Sequence, residues 1–113
     1  METRRVLTAS DGVNLVYRLS RRDRSGRRVL LLLHGANSNH TRWSELVETT
    51  ALAERWSILS PDLRGNGESQ TRRRHGMETW CSDLVEILDQ EGFAEALVVG
   101  HSLGAQIALH LER

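Results

Sequence analysis

Lysine is absent from the 113 residues, and all 15 basic side chains are arginine. A GC-rich coding bias is the simplest source of that skew. Acidic side chains also number 15, so the formal net charge is zero. That balance gives no electrostatic case for nucleic acid or an anionic membrane as a partner. Cysteine is nearly absent too. Cys81 alone excludes an internal disulfide, and its place in a helical apolar pattern marks it as a small buried hydrophobe. The one proline, Pro61, follows the short β-prone run Trp56-Ser57-Ile58-Leu59-Ser60 and limits further ladder pairing there. No apolar N-terminal run resembles a signal peptide and no stretch is long enough to span a bilayer, so a cytoplasmic setting is the default expectation. Repeats, low-complexity tracts and dividing linkers are missing, which leaves one domain. No His/Cys/Asp/Glu spacing suggests a metal, and no glycine-rich phosphate loop follows the first parallel strand, so no cofactor is expected.

What is present is an alternation of strand and helix signals. Asp11-Gly12 lies between Arg5–Ala9 and Val13–Leu19, and predicts a β-hairpin. In the second run Val13, Leu15, Tyr17 and Leu19 share one face. Arg28–Leu33 is continuously apolar after its first residue, as expected of a strand covered on both faces in a mostly parallel sheet. The polar loop His34–Asn39 follows. A helix is expected from roughly His40 to Arg55, with Trp43, Leu46, Val47 and Leu52 as its stripe. Met77 to roughly Glu91 predicts a second helix through Met77, Trp80, Cys81, Leu84, Val85, Ile87 and Leu88, with Gly92 just past its end. Ala96–Gly100 reads as another buried strand. A third helix starts at Ser102 or Leu103, with Ala105, Ile107, Ala108 and Leu111 facing inward. The clusters Arg21, Arg22, Arg24, Arg27, Arg28 and Arg72, Arg73, Arg74 are expected on solvated loops. The class is α/β, with a mainly parallel sheet after an antiparallel hairpin and helices on both faces.

Gly100-His101-Ser102-Leu103-Gly104 is the segment richest in chemistry. A Gly-x-Ser-x-Gly occurs by accident in about 4% of chains this long, so its context decides. Four apolar residues lead into it and an amphipathic helix leads out, the strand–turn–helix setting of a nucleophile elbow. Small residues two before and two after Ser102 let strand and helix approach. Ser102 then stands at a helix N-terminus, where unpaired N–H groups favour developing negative charge. Acyl transfer also needs donors aimed at the oxyanion. The backbone N–H of Leu103 is one candidate. Ala36 in the loop after the apolar strand is the other, with Asn37 second. His34, at a strand end before Gly35, suits a side chain that braces the loop.

Three segments in order, Leu33-His34-Gly35, Asp62-Leu63-Arg64-Gly65-Asn66-Gly67-Glu68-Ser69 and Gly100-His101-Ser102-Leu103-Gly104, resemble the N-terminal part of the α/β-hydrolase superfamily. The likeness is to its cap-bearing esterase, lipase and haloperoxidase-like group, and it covers essentially the whole chain. The middle segment is similar to that group's Asp-x-Arg-Gly-x-Gly-x-Ser loop, outside the triad. Relatives that dehalogenate haloalkanes or open epoxides carry aspartate at the elbow, so Ser102 implies acyl chemistry on a small-molecule carbonyl substrate, a carboxylic ester first among several. The resemblance implies a triad order of Ser, then Asp or Glu, then His. After Ser102 the only histidine and acid are His110 and Glu112, which lie along the following helix where neither can curl back to the serine hydroxyl, and in the wrong order. His101 should point to the opposite side of the turn, and His75 lies on the loop before the second helix. Residues 1–113 are therefore expected to be a partial domain, a truncated or partial reading frame with negligible turnover alone. The rival expectation is a non-catalytic member of the fold that binds a ligand or a protein. Oligomeric state carries no sequence signal.

Overall fold

The structure is a computed structural model describing residues 2–22 and 26–111; Arg24 and Glu112, which the sequence places in a loop and on the last helix, lie outside the described residues. The strands are β1 (Glu2–Thr8), β2 (Asn14–Ser20), β3 (Arg28–Leu33), β4 (Ser57–Pro61) and β5 (Glu95–Gly100). The α-helices are α1 (Ser44–Thr49), α2 (Met77–Glu91) and α3 (Leu103–Leu111). All five strands form one sheet in the order β1-β2-β4-β3-β5. β3 runs parallel to β4 and β5, whereas β2 runs antiparallel to both β1 and β4. The sheet is thus mixed, its parallel character confined to β4-β3-β5.

The apolar run of β3 is continuous because both of its faces are covered. Val29, Leu31 and Leu33 enter the larger core with Leu15, Tyr17, Leu19, Leu59 and residues of α2 and α3. Leu30 and Leu32 join Ile58 on the other face, under Trp43, Val47, Ala53 and Trp56. Each fully buried leucine contributes about 2 kcal/mol, so this strand is the anchor of the sheet. Leu33 is its last residue, so the loop leaving it starts from a fully buried position.

The first hairpin forms, with Gly12 at φ +88° and a loop spanning Ala9 to Val13. α2 has the expected bounds, and Gly92 ends it at φ +79°. The single helix expected over 40–55 does not form. The 3-10 turns His40–Trp43 and Ala51–Glu54 flank a short α1. Thr50 interrupts it with ψ 134°, and its side chain caps the Leu52 N–H instead of continuing the helix. Trp43 and Val47 pack inward, but Leu46 and Leu52 are exposed. β4 starts at Ser57 and includes Pro61, which lies opposite Tyr17.

β5 is not a buried strand among the described residues. It lies at the sheet edge with Ala96, Leu97 and Val99 exposed. Val85 of α2 and Ala105 of α3 also face outward, while Asp83 and Gly104 take buried places on those helices. An apolar groove of about 660 Å³ runs beside β5, lined by Val85, Leu88, Leu97, Leu109 and Leu111 among others; Ser102 is not part of it. Two arginines expected on solvated loops lie over aromatic rings, Arg21 over Phe93 and Arg28 over Trp56. Among the described residues no helix is long and apolar enough to cross a membrane.

Candidate active site

β5 delivers the chain to a tight turn at its C-terminal end. His101 N–H bonds to the Leu33 carbonyl at 3.0 Å, which holds the turn beside the end of β3. Ser102 follows at φ +56°, in the left-handed region that non-glycine residues avoid, and α3 begins at the next residue. The Gly104 N–H closes the turn on the His101 carbonyl at 3.0 Å. Strand and helix approach so closely that two side chains are forbidden. A Cβ on Gly100 would stand 2.4 Å from the Gly104 carbonyl group, and one on Gly104 would stand 2.2 Å from the Leu33 oxygen. Ser102 itself is exposed.

The loop after β3 lies alongside this turn. A Cβ on Gly35 would meet His101 Nδ1 at 3.3 Å and Ser102 Cβ at 3.4 Å. His101 therefore does not turn wholly away from the serine, as the sequence suggested; both side chains share Gly35 as a neighbour. Leu103, as the first residue of α3, carries an N–H with no intrahelical acceptor. Ala36 is exposed, and among the described residues its N–H makes no hydrogen bond. Asn37, the second donor candidate, is different: its N–H is already given to Asn66 Oδ1 at 2.9 Å.

Three ties hold that loop to the loop after β4. His34 is fully buried; its Nδ1 donates to the Gly35 carbonyl at 2.6 Å and its Nε2 accepts the Leu63 N–H at 2.9 Å. Those two bonds specify the neutral imidazole with its proton on Nδ1. Burial pushes its pKa below the ordinary value, reinforced by His40 and opposed by the Gly35 carbonyl and Asp62. The second tie is Asn37 to Asn66. In the third, Asp62 Oδ1 accepts both the backbone N–H of His40 and its Nδ1, at 2.7 and 2.8 Å.

The loop after β4 is itself pinned from behind. Arg64 is 3% exposed and makes two 2.8 Å bonds to Asp83 on α2, with Asp11 of the first hairpin as a further partner. These carboxylates hold its guanidinium above the usual arginine range. Ser69 Oγ accepts the Val16 N–H at 2.8 Å, and Asp62 Oδ2 accepts the Glu68 N–H at 2.9 Å. Gly67 must be glycine, since a Cβ would overlap the Asp62 carboxylate at 2.5 Å.

Ser102, Leu103 and Ala36 are thus gathered at one end of β3 and β5. The remaining histidines have other partners: His75 bonds the Arg73 carbonyl and packs edge-on to Trp80, and His110 bonds the Gln106 carbonyl one turn back on α3. The ties through Asn66, Asp62 and Arg64 were not visible as pairs in the sequence. Their composition signals a turn, but nothing in it names the partner.

A sheet with helices on both faces, carrying a serine at a left-handed turn between strand and helix, defines an α/β protein. The profile of the family described as alpha/beta hydrolase fold matches residues 28–111, and the chain belongs to that family. RutD of Caulobacter vibrioides, a candidate carbamate hydrolase, is 34% identical over 89 residues, 77% of this chain and 32% of RutD. The magnesium-chelatase 30 kDa subunit of Rhodobacter capsulatus is 35% identical over 85 residues, 74% of this chain and 29% of that subunit. The crystal structure of an alpha/beta hydrolase from Novosphingobium aromaticivorans superposes with a TM-score of 0.85 at 31% identity, over 97% of this chain and 39% of that one. The chain therefore spans about a third of the length of the curated relatives it matches.

Proposed function

We propose that this chain is the nucleophile-bearing part of a serine hydrolase that cleaves a small-molecule carbonyl substrate, a carboxylic ester, through an acyl-enzyme. One observation carries the reading: Ser102 is exposed at φ +56° in a turn whose flanking residues can only be glycine. Such a strained, over-determined position is a cost that a structural serine has no reason to bear. Ser102 Oγ attacks the carbonyl carbon, and the carbonyl π electrons move onto oxygen. The N–H groups of Leu103 and Ala36 face that oxyanion. Collapse expels the alcohol and leaves an acyl-Ser102 ester, which water resolves to the acid. The proton of Ser102 passes to a histidine, oriented by an Asp or Glu, that the family resemblance assigns to the polypeptide beyond residue 113, and the histidine returns it to the departing alcohol oxygen. On this reading residues 1–113 are one part of a larger domain, with no cofactor.

The magnesium-chelatase subunit favours a second reading, because that relative is named as part of an assembly and not by a hydrolytic reaction. There the same site around Ser102 would bind a ligand without turning it over. A fluorophosphonate probe on the full-length protein separates the two. Labelling that disappears in Ser102→Ala, together with Ser102-dependent hydrolysis of p-nitrophenyl esters, supports the hydrolase. An unlabelled, inert protein supports the binding module.

A further inference from the structure

Asn66 occupies a free position in the turn, between the two glycines of Gly65-Asn66-Gly67. Its side chain nevertheless makes a bond at each end. Oδ1 accepts the Asn37 N–H at 2.9 Å, and Nδ2 donates to the Arg64 carbonyl at 3.2 Å. The two bonds fix the orientation of the amide. Reversed, an NH2 would face the Asn37 N–H and an oxygen would face the Arg64 carbonyl. Arg64 is locked in turn by Asp83, so the support behind Asn66 is rigid.

Asn37 also has a special backbone, at φ +57°. Asparagine tolerates the left-handed region better than most residues, but the conformation still needs an external hold. The bond to Asn66 supplies one. It also consumes the Asn37 N–H at the tip of the loop, while that of Ala36 has no partner among the described residues. Gly35, one residue earlier, abuts Ser102. A rotation of the loop tip that freed Asn37 would turn the adjoining peptide and re-aim the Ala36 N–H.

We infer that Asn66 is a positioning residue for the Ala36 N–H, selecting Ala36 over Asn37 as the donor that faces a developing oxyanion beside Ser102. The inference rests on the acyl-transfer reading of the site. Asn66 touches no reacting atom. It acts through the Asn37 peptide, and the class of ligand it serves is a tetrahedral oxyanion.

The test uses the full-length protein with p-nitrophenyl acetate as the probe. Asn66→Ala should lower kcat about tenfold, less than outright loss of an oxyanion donor, with KM within about twofold of wild type. Gln70→Ala, which removes an exposed side chain bonded to the Gly67 carbonyl in the same loop, should leave both constants unchanged. Hydrogen exchange at the Asn37 amide, read without substrate, should accelerate in Asn66→Ala and return towards wild type in Asn66→Asp, which keeps the acceptor. Unchanged kcat in Asn66→Ala, or a loss matched by Gln70→Ala, would overturn the inference. So would unchanged Asn37 exchange, whatever the kinetics. A wild-type protein without Ser102-dependent turnover would sink the acyl-transfer reading and the catalytic half of this inference, while faster Asn37 exchange would still support the tie.

Discussion

His34 Nε2 accepts the Leu63 N–H at 2.9 Å, so the loop after β3 is fastened to the loop after β4 through the lone pair of a buried imidazole. Protonation would put a second donor against the Leu63 N–H, and burial already lowers the pKa below the ordinary 6.5. Between the two pKa values the unfolded chain binds a proton that the folded chain refuses. The His34 contribution is therefore fully present above about pH 6.5 and is lost as pH falls below it. A separate loss follows at lower pH from Asp11, Glu68 and Glu91, whose carboxyls lie below their usual range; Asp11 and Glu68 are held there by arginines. For Glu91, burial opposes the charge but Tyr17, Arg5 and Arg21 outweigh it. Melting temperature should thus decline in two stages on acidification. In His34→Gln the first stage should flatten, with the pH 7 stability lower by about 1–2 kcal/mol for the impaired buried bonds. An identical slope between pH 6.5 and 5 in wild type and variant would refute the assignment.

Gly104 and Gly76 are predicted to respond oppositely to alanine. At Gly104 the added Cβ meets the Leu33 backbone at 2.2 Å, where no side chain can yield. α3 must lift from β3, at about 3 kcal/mol or more. Gly76 has φ −152° and nothing within 4 Å of an added Cβ, so Gly76→Ala should be within about 0.5 kcal/mol of wild type. Urea unfolding of the pair measures both. Equal midpoints would mean that the close approach of strand and helix is not real.

Arg64 has two acidic partners of unequal worth. Asp83 is 4% exposed and bonds the guanidinium through both oxygens, whereas Asp11 lies on the surface of the hairpin. Removing Asp83 leaves the buried guanidinium only the surface carboxylate of Asp11, and Asp83→Ala should cost about 2–3 kcal/mol. Asp11→Ala leaves the buried pair intact and should cost less than about 1 kcal/mol. Replacing Arg64 and Asp83 together with methionine and leucine should recover much of the Asp83→Ala loss. A double variant as unstable as Asp83→Ala would show that the lost bonds, not the under-paired buried charge, set the cost.

These relationships explain which parts of the fold the sequence could disclose. β3 was legible because its unbroken Val29–Leu33 run has one cause, burial on two faces. α2 and Gly92 were legible from period and cap, and the turn at Ser102 from the small residues it demands. Each is a local signal. The break at Thr50 depends on a threonine hydroxyl choosing the Leu52 N–H over helix continuation, a near balance that periodicity does not register. The ties Asn37–Asn66, His34–Leu63 and Arg64–Asp83 join residues 29, 29 and 19 positions apart, and only the folded sheet brings them together. Edge position was also hidden: Ala96–Val99 has the composition of a buried strand, yet its outer face is open among the described residues.

Ser102 carries the sharpest test of how the site is built. At φ +56° a side chain with a Cβ is held about 1–2 kcal/mol above its relaxed conformation. Ser102→Ala and Ser102→Gly both remove the hydroxyl, so neither should hydrolyse an ester or take up a fluorophosphonate. They differ in backbone freedom alone. Glycine accepts positive φ without penalty, and its greater unfolded-state entropy offsets part of that gain. Ser102→Gly should therefore be about 1 kcal/mol more stable than Ser102→Ala in urea, although glycine is the poorer residue at most other positions. The flanking Gly100 and Gly104 contacts are unchanged in both variants, so the comparison isolates the turn. If alanine proved the more stable of the two, Ser102 would not be strained, and the strongest support for its role as a nucleophile would be gone.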